Sequence, residues 1–442
     1  MTGAAARDAA KRANPWWIPP FLGRVPDVPE PQVQTLGVVA LALLFENYDQ
    51  AMLSAALKQI AEGLGVAESD LGSLLGYVRL GAVPAFLLIP FGDWIGRRRL
   101  FLTSVIGLSL ATFASGFAAT TLQFVVLQML SRTFMVTCSA AAFVIITEEL
   151  PRQHRGWGIG ILGALGSFGH GLGLLLFAAI DVLPYGWRAM YVVGLTPLLL
   201  LPRFRRRVGE TDRFRRGRAA RGAAPGWAAG WGAPLVRLVR AHPLRALTVG
   251  LIGALASAGH GAGFSFAAYY VQAEHGWTPS QFTAMAFVAG MAGIVGHPFA
   301  GRVADRRGRR PVGFLLFGAY PLLAVAFYHG PGWVLPFLWI PLIFALTGGI
   351  TIGRALSTEL FPTSYRGTSA GWLQLTDALG AAAGLFLVSW GTAAGSSNTP
   401  MITWVVFATL GAALLVLMLP ETGRRELEDI SADSPASAAP AR

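Results

Sequence analysis

Twelve stretches of roughly twenty mostly apolar residues follow one another along this chain, and soluble layers have no means of hiding so many. They lie at 35–57, 70–91, 100–118, 121–147, 157–180 and 187–202, then at 244–272, 279–300, 312–329, 332–357, 367–391 and 399–419. A helix needs about 20 such residues to cross a hydrocarbon layer of ~30 Å. Inside that layer each segment must satisfy its own backbone N–H and C=O groups, which a helix does and an open strand does not. The sequence therefore predicts an all-α membrane protein with twelve transmembrane helices.

Charge is correspondingly scarce. Only 13% of the residues are charged and 54% are hydrophobic, with a mean hydropathy of +0.53; a soluble domain spends about a quarter of its residues on charge. The net charge of +12 could point to nucleic acid, but the arginines border apolar segments instead of forming a face. A lipid bilayer is the expected partner and nucleic acid is not. The single cysteine, Cys138, excludes a disulfide framework and a cysteine metal site, and no metal or cofactor is expected. The first 33 residues have no apolar core of signal-peptide form, and "NPWWIPP" at 14–20 reads as an aromatic segment at an interface.

Orientation follows from where the arginines fall. One set of alternate connections holds Arg97, Arg98 and Arg99, then Arg152 and Arg155, then nine arginines within 203–221. The same side continues with five arginines in "GRVADRRGRRPV" at 301–312, then Arg366, Arg424 and Arg425. The opposite connections hold little beyond Lys58, Glu62, Glu68, Asp181, Arg188 and Glu274. Both termini and the central loop are expected in the cytoplasm, in a multi-pass protein of the inner or plasma membrane. The divisions are a cytoplasmic segment at 1–34, a six-helix half at 35–202, a basic central loop at 203–243, a second half at 244–419 and a tail at 420–442. The basic loop reads as a topological anchor, with lipid binding as the alternative.

The chain also repeats itself. Asp93 aligns with Asp305 at an offset of 212, bringing Gly96 onto Gly308 and Arg97 and Arg98 onto Arg309 and Arg310. "EELPRQHRG" at 148–156 matches "TELFPTSYRG" at 358–367, with Glu149 against Glu359 and Arg155 against Arg366. Two such repeats are a known plan for secondary transporters, with the substrate bound at the midplane between them.

In these features the chain resembles the major facilitator superfamily over 36–431. The motif D-x-x-G-R-[RK] stands between helices two and three and again between helices eight and nine. "LFENYDQ" at 44–50, "VGETDRF" at 208–214 and "PETGRRELEDI" at 420–430 resemble motifs of the sugar-porter and organic-ion branch. The resemblance implies two pseudo-symmetric six-helix halves and alternating access. It implies that Asp49 carries a coupled proton and that Arg132 modulates it, although Val136 and Cys138 stand where that branch has small glycines. A permanent neutralising pair of Asp49 with Arg132 is the structural alternative. Glu46, three residues before Asp49 on the same helical face, is the competing proton carrier. The repeated elements imply a cytoplasmic gate of Asp93, Gly96, Arg97, Arg98, Glu149 and Arg155 with Asp305, Gly308, Arg309, Arg310, Glu359 and Arg366.

Ionisable residues at membrane depth are costly and so point to function. Arg79, His170, His260 and Asp377, with Tyr269, Tyr270 and Trp372, are the candidates for holding substrate; for Arg79 a structural pair with Glu46 or Asp49 is the rival. Residues 157–180 and 244–270 contain no Asn or Gln, which disfavours a sugar. Arginine with aromatics suits a carboxylate on an apolar body. The expected function is proton-coupled uptake of a small organic carboxylate by a monomer. Export, or a sensor that transports nothing, are the alternatives. No phosphate-binding G-x-x-x-x-G-K-[ST] loop or H-E-x-x-H pair suggests a pump or an enzyme.

Overall fold

The computed structural model describes residues 14–19, 25–211, 214–215 and 233–423. The side chains of Asp93 and Arg152, most arginines of the central loop beyond 207, and Arg424 and Arg425 lie outside the described set. All twelve expected segments are helical. In chain order they are α1 (Glu30–Ala55), α2 (Glu68–Phe91), α3 (Arg97–Ser115), α4 (Thr121–Glu149), α5 (Arg155–Ala178) and α6 (187–207), then α7 (Pro243–Glu274), α8 (Pro279–Arg307), α9 (Arg309–His329), α10 (Leu335–Glu359), α11 (Arg366–Ala393) and α12 (Asn398–Met418). No strand occurs among the described residues.

Among the described residues, nine of these are long and apolar enough to span a membrane by length and composition. Three arginines open α3, and α8, uncharged from 282 to 299, runs seven residues beyond its expected end through Asp305, Arg306 and Arg307. α6 is broken into short pieces at Pro197 and Pro202, where proline removes a backbone donor and crowds the preceding turn. Helix starts are marked by polar caps, as at Thr120 before α4 and in the Thr278–Gln281 capping box before α8.

Packing separates the chain into two halves with a shared seam. One buried cluster belongs to the first half, with Phe101, Ile146, Leu162 and Phe204. A second belongs to the other half, with Ala304, Phe317, Ile352 and Val416. A third draws on both, joining Tyr48, Phe124 and Phe177 to Phe266, Tyr328 and Trp339.

The seam lies at the end of the bundle away from the arginines. There Gln59 donates to Gln272 Oε1 at 2.7 Å, Lys58 to the Gln272 carbonyl at 3.3 Å, and Thr283 to the Leu174 carbonyl at 2.9 Å. Ser73 and Ser389 join α2 to α11 at 2.9 Å, and Ser389 also donates to the Ser69 carbonyl. Toward the arginine-rich end the same interface helices stand apart. Gly156, Gly160 and Gly163 on α5 and Gly367 and Gly371 on α11 have nothing within 4 Å of where a Cβ would sit. The bundle is closed at one end and parted at the other.

Candidate functional site

Asp49 sits about five turns into α1 and is almost wholly buried. Thr112 Oγ1 on α3 donates to its Oδ1 at 2.9 Å, and Ser131 Oγ on α4 donates to its Oδ2 at 2.9 Å. The two hydroxyls are themselves 3.1 Å apart. A hydroxyl both donates and accepts, so this pair can hold the carboxylate and can equally receive a hydrogen bond from the acid. Glu46, one turn earlier on the same face, takes Ser139 Oγ at 2.8 Å on both oxygens.

Arg132 follows Ser131 on α4. Its Nη1 donates to Gln50 Oε1 at 2.8 Å and lies 3.4 Å from Met135 Sδ, while its buried Nε has no hydrogen-bond partner. Among the described residues neither Asp49 nor Glu46 is ion-paired with it, so the permanent neutralising pair is not formed. Their charges act on it only through space. Arg79 on α2 is not paired with either acid, which corrects the structural alternative entertained for it; the charge it feels is that of Arg132. α2 and α4 cross tightly just beside them. Thr133 Oγ1 donates to the Gly81 carbonyl at 2.6 Å, and a Cβ on Gly81 would stand 2.8 Å from Met129 Cα.

The other expected substrate residues are scattered. His170 on α5 meets Phe264 on α7 across the seam, with ring centroids 6.3 Å apart, and Phe264 stacks on Trp339. Asp377 on α11 lies against α7, its Oδ1 2.8 Å from where a Cβ on Gly253 would sit, well inside the second half. His260 is buried between Phe317 and Tyr320, with ring centroids 6.1 and 4.4 Å away. Tyr270 donates to the Tyr328 carbonyl at 2.8 Å, and Tyr269 stands near Glu62, Glu68 and Glu274 at the closed end. Trp372 Nε1 donates to the Ala246 carbonyl at 2.8 Å and its ring packs over Gly250. Of these, Tyr270 and Trp372 have their polar atoms on backbone carbonyls of the second half, while the buried His260 Nε2 has no hydrogen-bond partner. The structure does not bring them to Arg79.

At the arginine-rich end the repeat is built twice, side chain for side chain. Arg97 Nε lies 3.5 Å from Glu148 Oε1, and Arg309 Nη2 lies 2.9 Å from Glu359 Oε1 and 2.8 Å from Asp305 Oδ1. Thr211 donates to Glu148 and Thr422 to Glu359. Glu210 accepts from the Arg97 and Arg98 backbone N–H at 3.0 and 3.3 Å; Glu421 accepts from those of Arg309 and Arg310 at 2.6 and 3.1 Å. Each carboxylate thereby caps the N-terminus of α3 or α9, where four N–H groups lack intrahelical partners and the helix dipole favours negative charge. Arg98 and Arg310 reach the carbonyls of Arg205 and Leu417 in the same manner. Corresponding partners are 211 or 212 residues apart.

One detail of the gate is corrected here. The acid equivalent to Glu359 is Glu148, one residue before the expected Glu149. With this end parted, the ion pairs among the described residues lie within one repeat, and Arg155 Nε donates at 3.3 Å to the Leu150 carbonyl at the end of α4. Sequence reasoning singled out the segments "VGETDRF" and "PETGRRELEDI" but not their glutamates; the shared Glu-Thr at one repeat offset was the signal available. Burial raises the Glu421 carboxyl, but the N–H groups of Gly423, Arg309, Arg310 and Thr422 outweigh it and hold the group below its ordinary range. A lowered folded-state value contributes stability above the ordinary glutamate pKa of about 4.3, and that contribution is lost as the pH falls through the lowered value.

Gly96 and Gly308 make the turns that aim these caps, with φ of +105° and +101°. A side chain is strained there, and a Cβ on Gly308 would lie 2.6 Å from Glu421 Oε2. Gly308→Ala is expected to cost about 1–3 kcal/mol, read as a lowered thermal unfolding midpoint of the purified protein. An unchanged midpoint would show that the turn tolerates a side chain.

The sequence of the Major Facilitator Superfamily model matches residues 39–351 and, in a second overlapping match, 250–441. The cis,cis-muconate transport protein of Acinetobacter baylyi is 26% identical over 392 residues, covering 85% of this chain and 90% of that protein. The gallate transporter of Pseudomonas putida is 28% identical over 182 residues, 41% of this chain and 40% of its own length. Among solved structures, the xylose transporter XylE of E. coli in an inward open conformation superposes with a TM-score of 0.68 at 19% identity, over 90% of this chain and 99% of that one. The doubled arginine cages, the twelve helices and these matches agree, and the chain belongs to the Major Facilitator Superfamily, as a multi-pass membrane transporter of small molecules and not an enzyme.

Proposed function

We propose that the protein carries a small organic carboxylate into the cell together with protons, by alternating access as a monomer. The observation that carries this reading is Arg79, a guanidinium at membrane depth that makes no hydrogen bond or ion pair to any described residue. Arginine is not deprotonated in proteins, and an uncompensated buried charge costs several kcal/mol. A substrate carboxylate answers that charge, and the fork of two N–H groups matches its two oxygens. Muconate and gallate, for which two relatives are named, both bear a carboxylate on an unsaturated carbon body. Asp49, held only by neutral hydroxyls, is the proton carrier in this reading. With the arginine-rich end and both termini in the cytoplasm, the parted end of the bundle faces inward, and the seam at Gln59, Gln272, Ser73 and Ser389 closes the outside.

Reconstituted protein in vesicles, acid outside, is expected to accumulate labelled gallate or muconate, and the accumulation should collapse when a protonophore removes the pH gradient. Accumulation that a protonophore leaves untouched would refute proton coupling. A carrier that moves neither acid would refute the carboxylate.

A further inference from the structure

The α2–α4 crossing holds two arginines where one carboxylate needs one. Arg79 on α2 lies within the field of Arg132 on α4, and the two helices are locked together by the Thr133 to Gly81 hydrogen bond and the Gly81–Met129 contact. Arg132 spends one N–H on a neutral amide and leaves its buried Nε unpartnered. Two cations are therefore presented to the same space. Across from them stand two acids, Glu46 and Asp49, each satisfied by hydroxyls that serve the ionised and the protonated group alike. The other titratable groups around these acids are Cys138 on α4, Tyr48 on α1 and Tyr191 on α6, all neutral near pH 7 in their ordinary forms.

Charge balances whenever the site takes up as many protons as carboxylates, and two guanidiniums set the number of carboxylates it can answer at two. The empty site has two arginines against two carboxylates and is neutral. If both acids take a proton, the site holds two uncompensated cations, and a dianion restores neutrality. We infer that this site is built for a dicarboxylate, one carboxylate on each of Arg79 and Arg132, loaded together with two protons that reside on Glu46 and Asp49. Both the empty and the loaded carrier are then neutral, so neither conformational crossing moves net charge through the membrane. A monoanion taken up with one proton is also neutral, but it places a substrate carboxylate on only one of the two guanidiniums. The inference rests on the carboxylate reading above and adds the second carboxylate and the second proton.

The test uses the reconstituted protein with three probes: cis,cis-muconate, its monomethyl ester and benzoate. The diacid should bind at least about tenfold more tightly than the monoester, which corresponds to about 1.4 kcal/mol. In Arg79→Gln that advantage should vanish, the diacid losing about tenfold while the monoester moves by less than about threefold. Arg79→Lys keeps the charge without the fork and should fall between. Accumulation of the diacid should be indifferent to a potassium–valinomycin potential, whereas one uncompensated charge would change it about fiftyfold per 100 mV. Equal affinity for diacid and monoester, or equal losses of both in Arg79→Gln, would overturn the second carboxylate. A strong dependence on potential would overturn the two-proton balance. In each of those cases binding of benzoate leaves the carboxylate reading standing, and failure of all three probes to bind overturns both.

Discussion

Asp49→Asn is expected to abolish accumulation of substrate in acid-outside vesicles, by about 100-fold or more, while exchange of internal for external substrate continues. Asparagine keeps the size of the side chain and can still pair with Thr112 and Ser131, which lie 2.9 Å from the carboxylate oxygens. What it loses is the charge of the empty carrier. Without that negative charge the returning empty protein carries an excess cation through the bilayer, a penalty of several kcal/mol, and each 1.4 kcal/mol is tenfold in rate. The loaded carrier already has a neutral group at this position, so exchange, which uses only loaded crossings, is spared. Initial rates of counterflow and of net uptake in the same vesicles separate the two. Glu46→Gln must be measured beside it: net uptake that survives in Asp49→Asn and vanishes in Glu46→Gln would hand the proton to Glu46. Loss of exchange along with uptake in Asp49→Asn would make the residue structural.

The second large effect lies in packing. Gly169 on α5 rests on the Leu44 backbone of α1, and Gly380 on α11 rests on the Ala254 backbone of α7. In membranes such small residues let helices approach until dispersion contacts and backbone dipoles hold them. A methyl at either position would lie inside contact distance of backbone that has no rotamer with which to yield. Gly169→Ala and Gly380→Ala are each expected to cost about 1–3 kcal/mol by overpacking, seen as a clear fall in the thermal midpoint in detergent. Gly160→Ala is the internal control, since nothing lies within 4 Å of its missing Cβ. It should be neutral or stabilise by up to about 1 kcal/mol through helix propensity. A Gly169→Ala protein as stable as the Gly160→Ala protein would refute the close approach.

The length and order of the helices were legible because a bilayer demands apolar runs of fixed length, and the halves because the arginine motif recurs at one offset. Helix facing was not legible. A soluble helix betrays its buried side by a polar opposite face, but α7 and α9 are apolar all round, so nothing in the sequence distinguished His260 packed on Tyr320 from a histidine open to a cleft. For the same reason the sequence does not reveal that the polar atoms of Tyr270 and Trp372 are met by the carbonyls of Tyr328 and Ala246. The doubled Glu148 and Glu149 hid a one-residue slip, because alignment prefers identity and only geometry reveals which carboxylate meets Arg97. The caps at Glu210 and Glu421 were missed because each reaches about 110 residues along the chain to a backbone N–H, a partner with no sequence signature.

Among the described residues each arginine cage joins a half to its own adjoining loop or tail, so these ion pairs travel with that half as it rocks. Beside the apolar cluster shared by the halves, the polar contacts that must part at the other end, among the described residues, are made by amides and hydroxyls together with Lys58. Such groups exchange a protein partner for water at a net cost of about 0.5–1.5 kcal/mol each, and salt does not screen them as it screens exposed charges. The opening of this carrier should therefore run at nearly the same speed in dilute buffer and in brine, giving a cell whose surroundings change in salinity a steady rate of supply.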